Sequence, residues 1–318
     1  MDNLCHTLVG AAFGEAGLKR RTRFGSATLM IASNLPDIDV LAFATGTPVV
    51  ALRRGWTHGV VAQLLLPIAL TAVVLAIDRR WPARGSARDA VTDPPARAGS
   101  LLLLSYVGVI THVLMDLLNT YGVRLLMPID RRWFYGDVLF IIDPWMWLSL
   151  GLGVWFARRR RSPTPARVAL LAAGLYVIAM TGSARAAREE MVSRWQQVQG
   201  RPPQAVMVGP VPLTPLVRDV IIDAGDHYER GLFTWWPRRV QFSRTVVEKH
   251  DRDPRVAVAR EAPNIRAFLV WSRFPYWTFE SVDGGTRVTV GDMRFGAGRA
   301  PLGRTFTQSV VVPAAAGS

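Results

Sequence analysis

Apolar and charged positions are distributed unevenly along the 318-residue chain. Up to about Thr181, long apolar blocks alternate with short basic segments, and beyond it charged and apolar residues mix. The block 60–77 has no charged residue and is long enough for a helix that crosses a bilayer. The pattern predicts an all-α polytopic membrane domain over 1–182, a helical connector over 183–200, and a smaller β-rich α+β extramembrane domain over 201–318.

The apolar blocks of the first domain predict about six membrane-embedded helical segments. Proline, glycine and paired aspartates interrupt some blocks, so the first two segments are expected to be short or broken. A polar stretch rich in arginine, proline and aspartate, 78–100, is expected to form a linker. The predicted segments in chain order are 4–17, 24–50, 60–77, 101–118, 138–156 and 166–181.

The last third of the chain alternates apolar and polar residues in the manner of β-strands. AspGlyGly at 283–285 indicates a tight hairpin turn. A helix is expected within 253–268. The predicted strands are 205–208, 217–223, 228–236, 240–247, 276–282, 286–290 and 306–312.

Basic residues predict how the chain is oriented in the membrane. The net charge is +14, almost wholly from arginine, and the basic residues of the first domain concentrate in 19–23, 78–100 and 157–167. Because positive loops stay in the cytoplasm, these three segments should lie inside and the C-terminal domain on the non-cytoplasmic side. We therefore expect a multi-pass protein of the inner (plasma) membrane. Arginines that flank apolar blocks disfavour a nucleic-acid partner.

The cysteine content limits the disulfides and the kinds of metal site that the chain can form. Cys5 is the only cysteine, so no disulfide can form within the chain. Zinc sites that need two or four thiolates from one chain are also excluded. A metal site in this protein would have to use histidine and carboxylate ligands.

A histidine and an aspartate share one face of the fourth apolar segment. His112 and Asp116 are four residues apart, which places their side chains one above the other on a helix. Such a pair can bind a divalent metal, or the two groups can hydrogen-bond each other inside a bundle. In the predicted orientation, the other polar residues of the apolar segments reach the same level near the outer face. The metal ligands predicted from this convergence are His6, Asp37, Asp39, His58, His112 and Asp116, with Asp143 close by.

Five ordered motifs resemble the YdjM-like and YbcI-like inner-membrane proteins, a family of membrane-bound metal-dependent hydrolases. The resemblance covers residues 1 to about 182 and, more weakly, the C-terminal segment. It implies a metal-dependent hydrolytic activity. The motifs are HTLVG at 6–10, PDID at 36–39, GWTHG at 55–59, HVLMD at 112–116 with NTYG at 119–122, and FIIDPW at 140–145.

The predicted ligand set favours particular metals and roles. Mixed nitrogen and oxygen ligands suit Zn, with Mn or Fe(II) as alternatives, and the ligands are numerous enough for one or two ions. A metal-bound water is a hydroxide source, and Asp37 or Asp143 would act as general base. Arg54 and Arg124 either bind an anionic group or anchor the chain at the interface.

The sequence thus predicts a membrane-bound metal-dependent hydrolase that acts at the outer membrane face on a small-molecule, lipid or phosphoester substrate. Membrane lipid is the expected environment. The alternative is a non-catalytic membrane scaffold or partner-binding protein with a structural metal site. His227 and His250 have no partner at ligand spacing and are expected to lie at the surface or in turns.

Overall fold

The computed structural model of the protein describes residues 1–45, 53–81, 95–295 and 306–314. Two compact units form: the first holds Met1–Ala42 and Arg53–Gly182, and the second includes the described residues from Ser183 onwards. Parts of two predicted elements lie outside the described residues, namely 46–50 of the second apolar segment and 82–94 of the linker.

Helices build the first unit. Helix boundaries follow local signals, since Asp143 caps the amino end of one helix and Pro144 occupies its first turn. Short 3₁₀ helices cover Leu18–Arg21 and Leu35–Thr45. The α-helices are α1 (Asn3–Glu15), α2 (Gly25–Ala32), α3 (Val60–Arg80), α4 (Ala98–Leu117), α5 (Pro144–Arg160) and α6 (Thr164–Gln199).

Three of the described helices, α3, α4 and α6, are long and apolar enough to cross a membrane. The predicted helical membrane region is confirmed, but the number of six segments is not. The remaining α-helices of this unit are shorter, with 13 residues in α1, 8 in α2 and 17 in α5. At about 1.5 Å per residue, α1 spans about 20 Å, less than the hydrocarbon core of about 30 Å. The chain after α2 continues as a 3₁₀ helix, because Pro36 cannot continue an α-helical ladder.

Basic segments that are distant in sequence meet at one end of the first unit. Glu15, at the end of α1, accepts a 2.9 Å hydrogen bond from Arg158 Nε and also pairs with Lys19. The backbone N–H of Arg97 donates to the hydroxyl of Thr22 at 2.9 Å. These contacts join the 19–23, 78–100 and 157–167 segments, which arginine counting assigns to a single side of the membrane.

Close helix packing positions the carboxyl half of α4. A Cβ atom added to Gly108 would lie 2.4 Å from the Cβ of Ala32 on α2, so only glycine permits this approach. The contact brings Ser33, at the end of α2, against the next turn of α4. His112 is in that turn, so its ring lies beside Ser33.

Two antiparallel sheets form the second unit, as the alternating pattern predicts. One sheet has the order β1-β2-β3-β4 and the other the order β5-β6-β7. The predicted turn at 283–285 joins β5 to β6, with Val282 paired to Gly285. The predicted helix within 253–268 is two short helices, α7 (Pro254–Ala259) and α8 (Pro263–Trp271), because Pro263 begins a new one. The strands are β1 (Ala205–Val211), β2 (Thr214–Asp223), β3 (His227–Trp235), β4 (Arg238–Glu248), β5 (Pro275–Val282), β6 (Gly285–Asp292) and β7 (Thr307–Pro313).

The carboxyl half of α6 contributes to the core of the second unit. Ala187, Met191 and Trp195 follow one another at four-residue spacing, so they lie on one face of the helix. This face packs on inward-facing residues of the four-stranded sheet, among them Val220 and Phe233. Residues 183–200 therefore supply part of a hydrophobic core besides linking two regions of the chain.

Candidate metal centre

Four buried polar side chains meet in the first unit: Asp37, His58, His112 and Asp116. They come from the 3₁₀ helix after α2, the turn before α3, and the last two turns of α4. One ligand atom of each residue lies within 4.8 Å of the ligand atoms of the other three. The cluster therefore occupies the ends of α3 and α4 that are opposite the basic segments.

A close contact between two loops positions His58. A Cβ atom on the following residue, Gly59, would lie 2.5 Å from the carbonyl oxygen of Met127. Only glycine allows the turn before α3 to approach the loop after α4 so closely. The contact directs the buried His58 ring towards the last turns of α4.

The hydrogen bond at one nitrogen of His112 determines the state of the other. His112 Nδ1 lies 2.7 Å from the backbone carbonyl oxygen of Ser33. A carbonyl oxygen only accepts hydrogen bonds, so Nδ1 carries the proton. In the neutral ring, Nε2 is then an unprotonated lone pair directed into the cluster.

His58 is oriented by a relay through a hydroxyl group. Its Nδ1 lies 2.9 Å from Thr57 Oγ1, and that hydroxyl donates to Asp39 Oδ2 at 3.1 Å. Because the hydroxyl proton goes to the carboxylate, the Thr57 oxygen accepts the proton of His58 Nδ1. The Nε2 atom of His58 is therefore also an unprotonated lone pair in the neutral ring.

The two lone pairs face each other across a short distance. His58 Nε2 and His112 Nε2 are 3.1 Å apart, and Asp116 Oδ2 lies 3.2 Å from the first and 3.6 Å from the second. Three electron-rich atoms this close repel unless a cation lies between them. Ligands at about 2.0–2.2 Å from a tetrahedral ion are about 3.3–3.5 Å from one another, so the donor set fits a metal ion.

Asp37 completes the cluster at a slightly greater distance. Its Oδ1 atom lies 4.0 Å from His58 Nε2 and 3.8 Å from His112 Nε2. The same atom is buried without a hydrogen-bond partner among the described residues, although the guanidinium of Arg53 lies 3.8 Å from it. Because that distance is too long for a hydrogen bond, the oxygen can still accept a bond from a cation or a bound water.

Cationic groups surround Asp116 and hold its carboxylate in place. Arg54 donates from Nε to Oδ2 at 2.9 Å and from its NH2 group to Oδ1 at 3.0 Å. Asn119 Oδ1 accepts from the other terminal nitrogen of Arg54 at 2.9 Å. The amino group of Met1 also contacts Asp116. This bidentate arrangement fixes the plane of the carboxylate and offsets its charge.

His6 and Asp39 lie next to the four-residue cluster and support it. The His6 ring stacks on His112 at 3.8 Å between centroids, and its Nε2 lies 3.3 Å from Asp116 Oδ1. Asp39 uses Oδ2 for Thr57 and for the backbone N–H of Arg54, the latter at 2.8 Å. Both residues converge on the site as the sequence predicts, but they contact ligand side chains rather than joining the group of four.

Asp143 lies at the amino end of α5. Its Oδ1 accepts hydrogen bonds from the backbone N–H groups of Trp145 and Met146, and its Oδ2 accepts from the Tyr176 hydroxyl at 3.1 Å. Both oxygens are thus used to cap α5 and to hold it against α6. A role for Asp143 as general base stays a prediction.

Sequence reasoning missed three groups that orient the ligands. The role of Thr57 can be recognised only once the position of Asp39 is known. Ser33 acts through its backbone carbonyl oxygen, which every residue has, so its residue type does not reveal the role. Arg54 was predicted to hold an anionic head group or phosphate, or to anchor the chain at the interface; its guanidinium instead binds the carboxylate of Asp116. His227 and His250 lie outside the cluster: His227 contacts Asp226, and His250 lies in a turn with a positive φ of 53°.

Comparisons with known proteins agree with the motifs. A sequence-family model described as YdjM inner membrane protein matches residues 1–187, which is more than half of the chain. The chain is also similar to an uncharacterized protein of Bacillus subtilis (strain 168) called YfhP. The two are 22% identical over 307 residues, which cover 93% of this chain and 87% of that protein. No solved structure matches the chain.

Proposed function

The chain belongs to the YdjM inner membrane protein family, and we propose that it is a membrane-bound metal-dependent hydrolase. One observation carries the proposal: two unprotonated imidazole nitrogens and a carboxylate oxygen converge at 3.1–3.6 Å inside the first unit. If these residues only stabilised a helix bundle, well-packed apolar side chains in their place would be as stabilising or more so. Their convergence is explained if they hold a catalytic cation.

The simplest assignment of roles to the four clustered residues is three metal ligands and one proton acceptor. His58, His112 and Asp116 would hold the ion, since catalytic zinc sites use three protein ligands and leave one position for water. Asp37, whose Oδ1 lies farther out and has no hydrogen-bond partner among the described residues, would accept the proton of that water. Mixed nitrogen and oxygen ligands favour Zn, with Mn or Fe(II) as alternatives.

The metal, when bound, supplies a water with a pKa near neutrality. Hydrolysis adds this water across the scissile bond: the hydroxyl joins the acyl or phosphoryl group and a proton goes to the leaving group. Asp37 would hold the proton between these two events. Asp39, through Thr57, keeps the His58 ring turned so that its Nε2 atom faces the cluster. Arg54 and Asn119 hold the Asp116 carboxylate in one plane.

An open groove of about 600 Å³ gives access to Asp37. Its walls are mostly apolar and include exposed side chains such as Ile31 and Ile38. A substrate that arrives from the membrane could enter here, which supports a lipid or phosphoester substrate at the outer face. The outer position follows from the basic segments at the opposite ends of α3 and α4.

A structural metal site is the competing function, and burial is the observation that favours it. His58 and Asp116 are fully buried and His112 is 1% exposed. A closed site of this kind is typical of a metal that stabilises a fold. In that case the protein would be a membrane scaffold or would bind a partner, and its metal would be fully ligated and slow to exchange.

Metal analysis of the purified full-length protein tests the proposal. His112→Ala should lower the bound metal at least tenfold, because removing a ligand leaves the others clustered and unsatisfied. His250→Ala, a histidine far along the chain from the cluster, should retain the wild-type metal content. Hydrolysis of p-nitrophenyl esters or bis(p-nitrophenyl) phosphate should stop with a chelator and return with added Zn²⁺. Wild-type metal content in His112→Ala would refute the site, and a chelator-resistant metal without hydrolysis would favour the scaffold.

A further inference from the structure

Arg124 is a buried cation without an acidic partner among the described residues. Its side chain is 7% exposed, and its Nε atom is buried with no hydrogen-bond partner in this part of the chain. The guanidinium lies over the face of Trp133, at 4.9 Å from the ring centroid, and interacts electrostatically with Tyr135. A guanidinium remains charged in proteins, and an aromatic face replaces only part of its lost hydration. The position therefore favours an anionic ligand.

A second arginine increases the positive charge at this place. Burial, and then the nearby charge of Arg131, lower the pKa of Arg124. Arg131 is exposed and has no ion pair among the described residues. The adjacent Arg132 differs, because it pairs with Asp130 at 2.5 Å. The loop after α4 therefore carries two arginines, Arg124 and Arg131, that form no ion pair among the described residues and whose charges interact.

This loop contacts the residues that hold the metal centre. The backbone N–H of Arg124 donates to the carbonyl oxygen of Arg54 at 2.9 Å, and the side chain of Arg54 binds Asp116. Aromatic rings also connect Arg54 with Arg124. Arg54 lies 4.8 Å from the ring centroid of Tyr121, the Tyr121 ring is 6.3 Å from that of Trp133, and Trp133 is the ring that Arg124 contacts. Arg124 is thus connected, through its backbone and through two aromatic rings, to the arginine that holds Asp116.

We propose that Arg124, assisted by Arg131, forms a phosphate-binding subsite that holds the phosphoryl group of the substrate next to the metal centre. The inference rests on the proposed hydrolase function and names its substrate class as a phosphate ester. A guanidinium donates two parallel hydrogen bonds that match phosphate oxygens, and the second arginine offsets the remaining negative charge. Arg54 cannot serve in this way because Asp116 and Asn119 use its donors.

Phosphate binding to the full-length protein in nanodiscs of neutral lipid tests the subsite. Inorganic phosphate, followed by calorimetry, should bind at least tenfold more weakly to Arg124→Met than to the wild type. Arg132→Met removes the same charge from the same loop and should change the affinity less than twofold. Arg124→Lys keeps the charge without the two-pronged geometry, so it should restore only part of the affinity.

Competition separates the two sources of a phosphate group. If the ligand is a lipid headgroup, phosphatidylglycerol in the nanodisc should compete with inorganic phosphate in the wild type but not in Arg124→Met. If the ligand is a soluble phosphate ester, glycerol 3-phosphate should compete and phosphatidylglycerol should not. Either pattern supports the subsite.

Unchanged phosphate affinity in both Arg124 variants would overturn the subsite. Metal content is measured on the same samples, so this result would leave the hydrolase proposal standing. The opposite result is also informative. If His112→Ala keeps its full metal content while Arg124→Met binds phosphate more weakly, the metal centre is rejected and the anion site is retained.

Discussion

His58 and His112 place their Nε2 atoms 3.1 Å apart although 54 residues separate them in the chain. Each ring directs its Nδ1 proton away from the cluster, to Thr57 Oγ1 in one case and to the Ser33 carbonyl oxygen in the other. The two Nε2 lone pairs are consequently directed at the same point. Thr57 and Ser33 thus determine which nitrogen of each ring faces the other histidine.

Replacing the relay hydroxyl tests this control of the His58 ring. Thr57→Val has nearly the same shape but leaves His58 Nδ1 and Asp39 without their shared partner, so zinc affinity should fall about tenfold. Competition with a chelating dye measures the affinity. Thr111→Val is the matched control, since the Thr111 hydroxyl bonds only to carbonyl oxygens of its own helix, at 2.6 and 3.0 Å. Equal zinc affinity in the two variants would contradict the relay.

The orientation of the chain can be tested with reporters. Because the basic segments meet at one end of the first unit, the positive-inside rule places the C-terminal domain on the non-cytoplasmic side. A phosphatase fused after Ser318 should therefore be active, and a reporter that works only in the cytoplasm should be silent there. A fusion in the 78–100 linker should show the reverse pattern. Cytoplasmic activity after Ser318 would reject both this orientation and the outer position of the metal centre.

Trp195 should stabilise the second unit although it precedes the first strand. Its side chain is 1% exposed and packs on the four-stranded sheet. Trp195→Ala should lower the free energy of unfolding by about 3–5 kcal/mol, measured by denaturant titration of a soluble 183–318 fragment. Val198→Ala, on the exposed side of the same helix, should cost less than about 0.5 kcal/mol. A 201–318 fragment as stable as 183–318 would show that the helix is dispensable.

A buried ion pair should make the second unit sensitive to acid. Burial alone would raise the pKa of Asp292, but the Arg294 guanidinium at 2.9 Å and the hydrogen bonds to the carboxylate hold that pKa below its usual range. The folded state thus favours the charged form. Its stabilising contribution is complete above the unfolded pKa of about 3.9 and is lost as the pH falls through the lower, folded pKa.

Melting temperatures of the 183–318 fragment between pH 7 and pH 2 measure this effect. The wild type should lose stability below about pH 4. Asp292→Asn should be less stable at neutral pH by about 3–5 kcal/mol, because Arg294 is left buried without its counter-charge. The variant should also lose less stability on acidification than the wild type. Parallel pH profiles for the two proteins would show that Asp292 does not contribute to the acid response.

Sequence by itself determined that a helical membrane region precedes a β-rich unit, and it supplied a set of polar residues from which the cluster is drawn. Apolar block lengths identified α3, α4 and α6 as helices able to cross a membrane, and alternation identified the strands of the second unit. These signals are local, since helix and strand periods are properties of neighbouring residues. The four-residue spacing of His112 and Asp116 is also a local signal, and both residues belong to the cluster.

Tertiary structure alone decided which polar residues act together and which do not. Asp143 and Asp37 both follow apolar residues, yet one caps a helix and the other faces the two histidines. Arg54 and Arg124 look alike in sequence, but one binds Asp116 and the other has no acidic partner among the described residues. The roles of Asp37 and Arg54 depend on contacts between segments that are distant in the chain, such as the bond from Arg54 to Asp116 and the Gly108 approach to Ala32. No local pattern encodes such contacts, because they are set by how whole helices pack.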